Sequence, residues 1–370
     1  MKIAQTALRF EKKGLFFALR AVCTIFASVN LAGKKILITG ASGFIGSFAV
    51  ERALEVGAEV WAAVRPTSSR AYLSDERIKL VELNLSNPDE LAKVLLKYGP
   101  WDDVLHVAGA TKCVDEADFF AINTEGTRNL AHALVDTHSL RGRFVYFSSL
   151  SVMGAVQQER DDTEWGHYPL ITLNDEPRPN TAYGRSKLQA ERALAAIEGL
   201  DYVVLRPTGV YGPREKDYLM MAKSIKSHID FSVGFQPQDI TFIYVRDLVE
   251  AALLATTEGP SRRTYFLTDG RTYDSRTFSD LLQQEMGVNG VLHICAPLWF
   301  LRMVCSLSAW WAKKRGKAAT LNNDKYHIMA QRNWRCDIRA AQDLLSYDPQ
   351  YPLERGVKET VCWYREHKWL

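Results

Sequence analysis

Cysteine is sparse in this 370-residue chain. The six present (Cys23, Cys113, Cys295, Cys305, Cys336 and Cys362) form no CxxC pair and no Cys/His group at metal-ligand spacing. A disulfide scaffold is excluded, no metal site is expected, and reduced thiols in a cytoplasmic protein are the simplest reading. An excess of one charge is also missing. The 46 basic residues stand against 43 acidic ones, a net charge of +3, which gives no reason to expect a nucleic-acid partner. Internal repeats and low-complexity tracts are absent. With 47% hydrophobic and 24% charged residues, the composition is that of a folded chain with room for two domains, or for one large α/β unit with an added lobe.

From Lys34 onward, short β-branched runs alternate with longer helical patterns, the signature of βαβ units around a parallel sheet. Strands are predicted at Ile36 to Thr39, Glu59 to Val64, Ile78 to Leu83, Val104 to Val107, Phe144 to Ser148 and Tyr202 to Leu205. Helices are predicted at Phe44 to Val56, Asp89 to Tyr98, Ala117 to Val135 and Tyr183 to Ile197. The runs ILIT, VLHV and VVLR are continuously apolar, as strands buried on both faces must be. The expected architecture is a Rossmann-type doubly wound parallel sheet with a smaller C-terminal substrate lobe. Residues 34–206 would form the dinucleotide-binding domain, rejoined by about 239–258 through a strand-like Thr241 to Val245 and a helix Asp247 to Ala255. Residues 207–238 and 259–370 would form the lobe.

The sequence Gly40-Ala-Ser42-Gly43-Phe44-Ile45-Gly46 lies between the first strand and the first helix, the context in which glycine spacing becomes informative. Gly40 would turn the chain out of the strand, Gly43 would admit a pyrophosphate close to the backbone, and Gly46 would let the helix pack on the strand. The first N–H groups of that helix would meet the phosphates. Tyr183 and Lys187 sit four apart at the start of a helix, so they share a face. A cation beside a phenol favours the phenolate and brings its pKa toward the working range. Taken alone, such a pair also suits a solvated helix face. Here it follows a strand ending in Ser148-Ser149, whose hydroxyl could donate to a substrate oxygen.

These pieces resemble the extended short-chain dehydrogenase/reductase superfamily, the NAD-dependent epimerase/dehydratase family. They are joined by HVAG (106–109), Asn123 with Gly126-Thr127, FSSLSVMG (147–154), LRPTGVYGP (205–213) with its Pro207, YVRDL (244–248) and the closing 344–364. The resemblance implies that Tyr183 is the catalytic acid/base, that Lys187 binds the nicotinamide ribose and lowers the Tyr183 pKa, and that Ser149 polarises the substrate. It places Ser149 above Ser148, because the family's hydroxyl lies five residues before its glycine, here Gly154. It sets Asn84 and Leu85 near the adenine and Ala108 and Gly109 under the cofactor. Asn123 is either a site residue or only a brace between strands. Family members often dimerise, so a homodimer is expected.

The family's nucleotide-sugar members commonly carry Asn where this chain has Gly209. The RPTGVYGP form looks more like the branch of 3β-hydroxysteroid dehydrogenases and dihydroflavonol reductases. Trp299, Phe300, Trp310 and Trp311 suit a hydrophobic small-molecule substrate, and Arg214, Lys216, Lys223 and Lys226 read as a solvated face. The expected reaction is hydride exchange between a nicotinamide cofactor and a hydroxyl/carbonyl pair. A nucleotide-sugar epimerase or dehydratase with tightly held NAD is the alternative, and a non-catalytic cofactor-binding protein is disfavoured by Ser149, Tyr183 and Lys187.

Cofactor preference is expected to be NADP, with NAD usable. The second strand ends at Arg65 with no acid to hold a ribose 2′-hydroxyl, whereas the guanidinium, with Thr67, Ser68, Ser69 and Arg70 nearby, suits a 2′-phosphate. Glu59 stands at the wrong end of that strand and Asp75 in the following loop.

Two segments lie outside this plan. Lys2, Arg9, Lys13 and Arg20 fall on one face of a helical wheel over residues 1–33, opposite Phe10, Leu15, Phe17 and Val22. Export is rejected, since it would part a nicotinamide enzyme from its cofactor pool. A start-site artefact is the rival reading of this extension. Leu298 to Ala312 is apolar almost all round but too short to cross a bilayer; it reads first as a helix buried in the lobe and second as an interfacial one. Peripheral membrane contact through 1–33 and 298–315 is the associated expectation.

Overall fold

The computed structural model describes residues 29–159, 166–315 and 321–370. The first part of the chain runs β1 (Lys35–Thr39), α1 (Phe44–Glu55), β2 (Glu59–Val64), β3 (Lys79–Glu82), α2 (Pro88–Tyr98), β4 (Asp103–His106), α3 (Glu116–Phe119), α4 (Gly126–Asp136), β5 (Phe144–Phe147), α5 (Ala182–Ala196) and β6 (Tyr202–Pro207). It continues through β7 (Gly209–Tyr211), α6 (Asp217–Lys226), β8 (Ile229–Val233), β9 (Phe242–Tyr244), α7 (Val245–Thr257), β10 (Arg263–Leu267) and α8 (Thr277–Met286). It closes with β11 (Leu292–Ala296), α9 (Leu298–Lys314), α10 (Asn323–Ala330), α11 (Arg339–Leu345) and α12 (Leu353–Glu366).

Seven parallel strands form the main sheet in the order β10-β6-β5-β4-β1-β2-β3. Alternate side chains of β1 enter cores on opposite faces. Ile36 and Ile38 join Phe48, Val50, Leu248 and Ala252 of α1 and α7, whereas Leu37 joins Leu91, Leu95, Leu130 and Leu194 of α2, α4 and α5. That two-sided burial is why ILIT is unbroken by polar residues. From β1 the chain moves outward through β2 to β3 and then crosses back to β4 on the other side of β1. The strand order reverses there, so the crevice beyond the carboxyl ends of β1 and β4 is the ligand-binding position of such a sheet.

The strand expected at Thr241 to Val245 does not rejoin the sheet. It pairs as β9 with β7 in a small separate ladder, and the strand that completes the main sheet is β10, from the stretch expected in the lobe. After α7 covers the sheet, Tyr265, Phe266 and Leu267 are the next continuously buried run, and they add to β6. Ala341 and Leu345 of α11 pack on the same core, so 259–370 is shared between the two parts. The lobe has its own core, with Tyr211, Phe242, Tyr244, Phe278, Leu282, Leu353 and Val357. Helix α9 covers the apolar segment expected to be buried, yet Trp299, Met303, Leu307, Trp310 and Trp311 are exposed, while Leu301 and Cys305 are buried. Its aromatic residues therefore do not line a closed substrate chamber. Most of the basic extension, residues 1–28, lies outside the described residues.

Candidate functional site

Gly40 leaves β1 with φ +66, and a Cβ there would lie 2.8 Å from the Ala108 amide nitrogen, so backbone and steric demands agree on glycine. A Cβ on Gly46 would lie 2.1 Å from the Gly40 carbonyl oxygen. The third glycine thus packs on the turn of its own loop, not on the strand as expected. Gly43 caps α1 without a side chain, and Ser42, Phe44 and Ile45 are partly exposed around it. The N-terminus of α5 is the opposite case. Asp324 accepts from the amides of Ala182 at 3.0 Å and Tyr183 at 3.1 Å, and the Thr181 hydroxyl accepts from Gly184 at 2.9 Å. One helix start is filled by the protein and the other is left for an anion; the α1 cradle fits a dinucleotide pyrophosphate.

Tyr183, Lys187 and Ser149 converge at the carboxyl ends of β4 and β5. The Lys187 ammonium donates to the Phe147 carbonyl at 2.7 Å and lies 4.8 Å over the Tyr146 ring. A Cβ on Gly109 would lie 3.0 Å from its Nζ, so the loop after β4 passes directly against it. Burial pushes Lys187 down to about 8, and Glu191 pulls it back only in part. Burial also pushes the Tyr183 phenol up to about 12, opposed by a hydrogen bond from Ser149. The shift of the phenol is thus upward, and Lys187 is not among its causes. A lysine that loses its charge near pH 8 is neutral before such a phenol ionises. The two serines sit differently: Ser148 is buried and donates to Glu191, itself paired to Arg206, while Ser149 faces Tyr183.

Asn123 braces this arrangement from a π-helical turn, Phe120–Glu125. Its side chain accepts from Ala110 N at 2.7 Å and donates to Ala110 O and the Ser186 hydroxyl; Ser186 in turn donates to the Tyr183 carbonyl at 2.8 Å. Beneath it, Thr127 donates to the Asn123 carbonyl, which obliges it to accept from His106 Nε2; Thr39, accepting from Ala108 N, donates to Nδ1. Both ring nitrogens are thus assigned in a neutral imidazole, and burial holds His106 at about 3. Sequence reasoning missed His106, Ser186 and Asp324. HVAG marked the first only as family pattern, and nothing local announces that Asp324 reaches α5.

Around the rim, Arg65 follows β2 and is exposed, its backbone N–H donating to the Ser68 hydroxyl at 3.0 Å. Ser69 accepts from Ala71, and Arg70 is 4.0 Å from Glu82, so the neighbours expected to help Arg65 have local partners. Neither nearby acid competes: Glu59 binds Trp61 and Lys79, and Asp75 binds Arg77. Asn84 closes a turn, accepting from Ser86 and donating to Glu90, while the Leu85 carbonyl accepts from Asn129. Pro207 ends β6, buried. Arg214 departs from the solvated face expected of it. Its side chain is 12% exposed, lies 4.2 Å over Tyr72 and 4.4 Å over Phe48, and bonds Ser47 and Glu51, clamping the lobe to α1. Lys216, Lys223 and Lys226 are exposed, as expected.

Known proteins share this plan over nearly the whole chain. A UDP-glucose 4-epimerase of Vibrio cholerae is 26% identical over 89% of this chain and 94% of its own length. A 3 beta-hydroxysteroid dehydrogenase/Delta 5→4-isomerase of Mycobacterium tuberculosis is 25% identical over 91% of this chain and 92% of its own. Among solved structures, a dTDP-glucose 4,6-dehydratase of Bacillus anthracis in complex with NAD superposes with a TM-score of 0.72 at 17% identity, covering 91% of this chain and 98% of that one. This chain is an enzyme of the NAD dependent epimerase/dehydratase family, whose sequence model matches residues 36–267.

Proposed function

We propose that the protein is a hydride-transferring oxidoreductase that interconverts a hydroxyl and a carbonyl on an apolar small molecule, with NADP preferred over NAD. The observation that carries this reading is Gly209. A Cβ there would lie 2.8 Å from the Tyr218 hydroxyl, and the Tyr218 ring is set 4.6 Å from Phe278 and 6.2 Å from Phe242. Where nucleotide-sugar enzymes commonly place an amide, this chain has a glycine faced by the Tyr218 hydroxyl, which would have to shift to admit a side chain. The relative named as a steroid dehydrogenase supports the reading. The relative named as an epimerase supports the competitor, a nucleotide-sugar enzyme that keeps NAD bound.

The Gly40–Gly46 loop and Lys187 would hold a nicotinamide cofactor, which when bound and reduced would supply the hydride. Tyr183, protonated at neutral pH, gives its phenolic proton to the substrate carbonyl oxygen, and Ser149 donates a hydrogen bond to the same oxygen. Arg65, exposed just past the end of β2, would be the residue to hold a 2′-phosphate. The test is a cofactor-oxidation screen of steroid-like ketones, aldehydes and sugar nucleotides, followed by gel filtration. Net NADPH oxidation by an apolar ketone, with cofactor lost on filtration, is the expected result. Turnover of sugar nucleotides alone, with NAD retained, would overturn the reading.

A further inference from the structure

We infer that α9 is an interfacial helix that lays its aromatic side against an anionic bilayer surface. This 17-residue helix packs against α10 yet leaves Trp299 at 69%, Leu307 at 54% and Trp311 at 54% exposed, an aromatic side that the described residues do not cover. The surface continues into the preceding strand. Leu292 and Ile294 of β11 are exposed, and Ile294 pairs in register with exposed Phe231 of β8. Among the described residues no helix is long and apolar enough to cross a membrane, so the contact is one of lying on the surface.

Charge selects the partner. From Met286 to Asn323 the chain has no acidic residue, against Arg302, Lys313, Lys314, Arg315 and Lys317. The cations gather where the indoles end: Lys314 lies 4.0 Å over Trp310 and Arg315 lies 5.5 Å over Trp311. Indoles at headgroup depth with cations beside them are the arrangement an anionic interface rewards. A second copy of this chain fits less well. A two-fold interface through α9 would bring Arg302, Lys314 and Arg315 against their own equivalents with no acid on the segment to answer them.

The same helix walls a cavity of about 500 Å³ together with α10, bounded by Arg302, Ser306, Asn323, Tyr326, His327 and Asn180. Asn180 lies three residues before Tyr183, and α10 carries Asp324, which holds the start of α5. Docking of α9 therefore sets that cavity beside the lipid. The inference needs no particular substrate.

The experiment uses the full chain with vesicles of phosphatidylcholine alone and of phosphatidylcholine with phosphatidylglycerol. Co-sedimentation, tryptophan emission and quenching by brominated lipid are read. Wild-type protein is expected to bind the anionic vesicles, more weakly in high salt, with blue-shifted emission and quenching. Trp310→Ser with Trp311→Ser should lower the partition coefficient by about tenfold or more, a change of about 1.4 kcal/mol per decade. Lys314→Glu with Arg315→Glu should abolish the preference for anionic vesicles. Cofactor titration verifies that each variant is folded, and quenching of the wild type needs no variant. Absence of wild-type binding, unchanged binding by both variants, or a dimer that the tryptophan variant converts to monomer would each overturn the inference.

Discussion

Tyr183 can be a proton donor because its surroundings keep it protonated, with burial holding the phenol near 12. Tyr183→Phe should lower turnover by about 10²- to 10⁴-fold while leaving the cofactor dissociation constant within about twofold, read by fluorescence titration. Lys187 gives the opposite kind of signal. Its ammonium is lost as pH rises through about 8, so cofactor affinity of the free enzyme should weaken above that pH. In Lys187→Arg, whose guanidinium stays charged, the affinity should be flat from pH 7 to 10. Arg65→Ala should weaken NADP by about 10- to 100-fold and leave NAD nearly unchanged, since a charge-assisted bond to a 2′-phosphate contributes about 1.5 to 3 kcal/mol. The positions of these residues were legible because each belongs to a local motif at a strand end. Their protonation was not. The upward shift of Tyr183 comes from its burial in the folded chain, and the downward shift of Lys187 from the same cause, with Phe147 and Tyr146 packed on it from another element; no local motif announces either.

At the scale of elements, β1 to β6 and their helices could be read to within a residue or two. In β1, β5 and β6 burial on both faces writes an unbroken apolar run, whereas the edge strand β3, with Val81 alone buried, was marked by its place in the alternation of strands and helices. Beyond β6 the same rule misplaced β10, since an edge strand of five residues in a stretch rich in turns resembles a lobe strand until its pairing with β6 is known. For α9, apolarity was read correctly and burial was not, as periodicity cannot tell a helix hidden in protein from one facing another apolar phase. The π turn at Phe120–Glu125 has no sequence signal at all, although it carries Asn123. The clearest long-range device is α10 against α5. Asp324 accepts both leading N–H groups of α5, and Lys325 pairs with Asp217, which also binds Lys112. Asp324→Ala should cost about 1 to 2 kcal/mol, as lost helix caps do, and should lower turnover more than cofactor affinity because it loosens the start of the Tyr183 helix. A melting curve and steady-state kinetics check both; an unchanged melting temperature would remove the cap from the argument.

For the whole molecule, the buried polar relay beneath the sheet makes stability depend on pH in a way its surface charges would not. His106 has its folded pKa held near 3, against about 6.5 for an exposed imidazole. The unfolded chain therefore binds the extra proton between those values, and the contribution of neutral His106, complete above about pH 6.5, is lost as pH falls toward 3. Asp247 and Asp269 act in the other sense. Burial raises both to about 6, so their contribution is complete below the unfolded carboxylate range and is lost as pH rises through 6. Between pH 4 and 6 the histidine offsets one of the two carboxylates, and the wild-type stability should fall with pH about half as steeply as the carboxylates alone would make it. His106→Gln, whose amide can still accept from Thr39 and donate to Thr127, removes one side of that balance. Its stability should fall as pH rises from 4 to 6, where the carboxylates ionise without the histidine to compensate. The difference in unfolding free energy, wild type minus variant, should grow with pH by about 1.4 kcal/mol per unit up to about 6.5 and be level above it. Denaturant melts at half-unit steps of pH measure this difference directly, and a level difference throughout would mean that His106 takes up its proton without unfolding the relay.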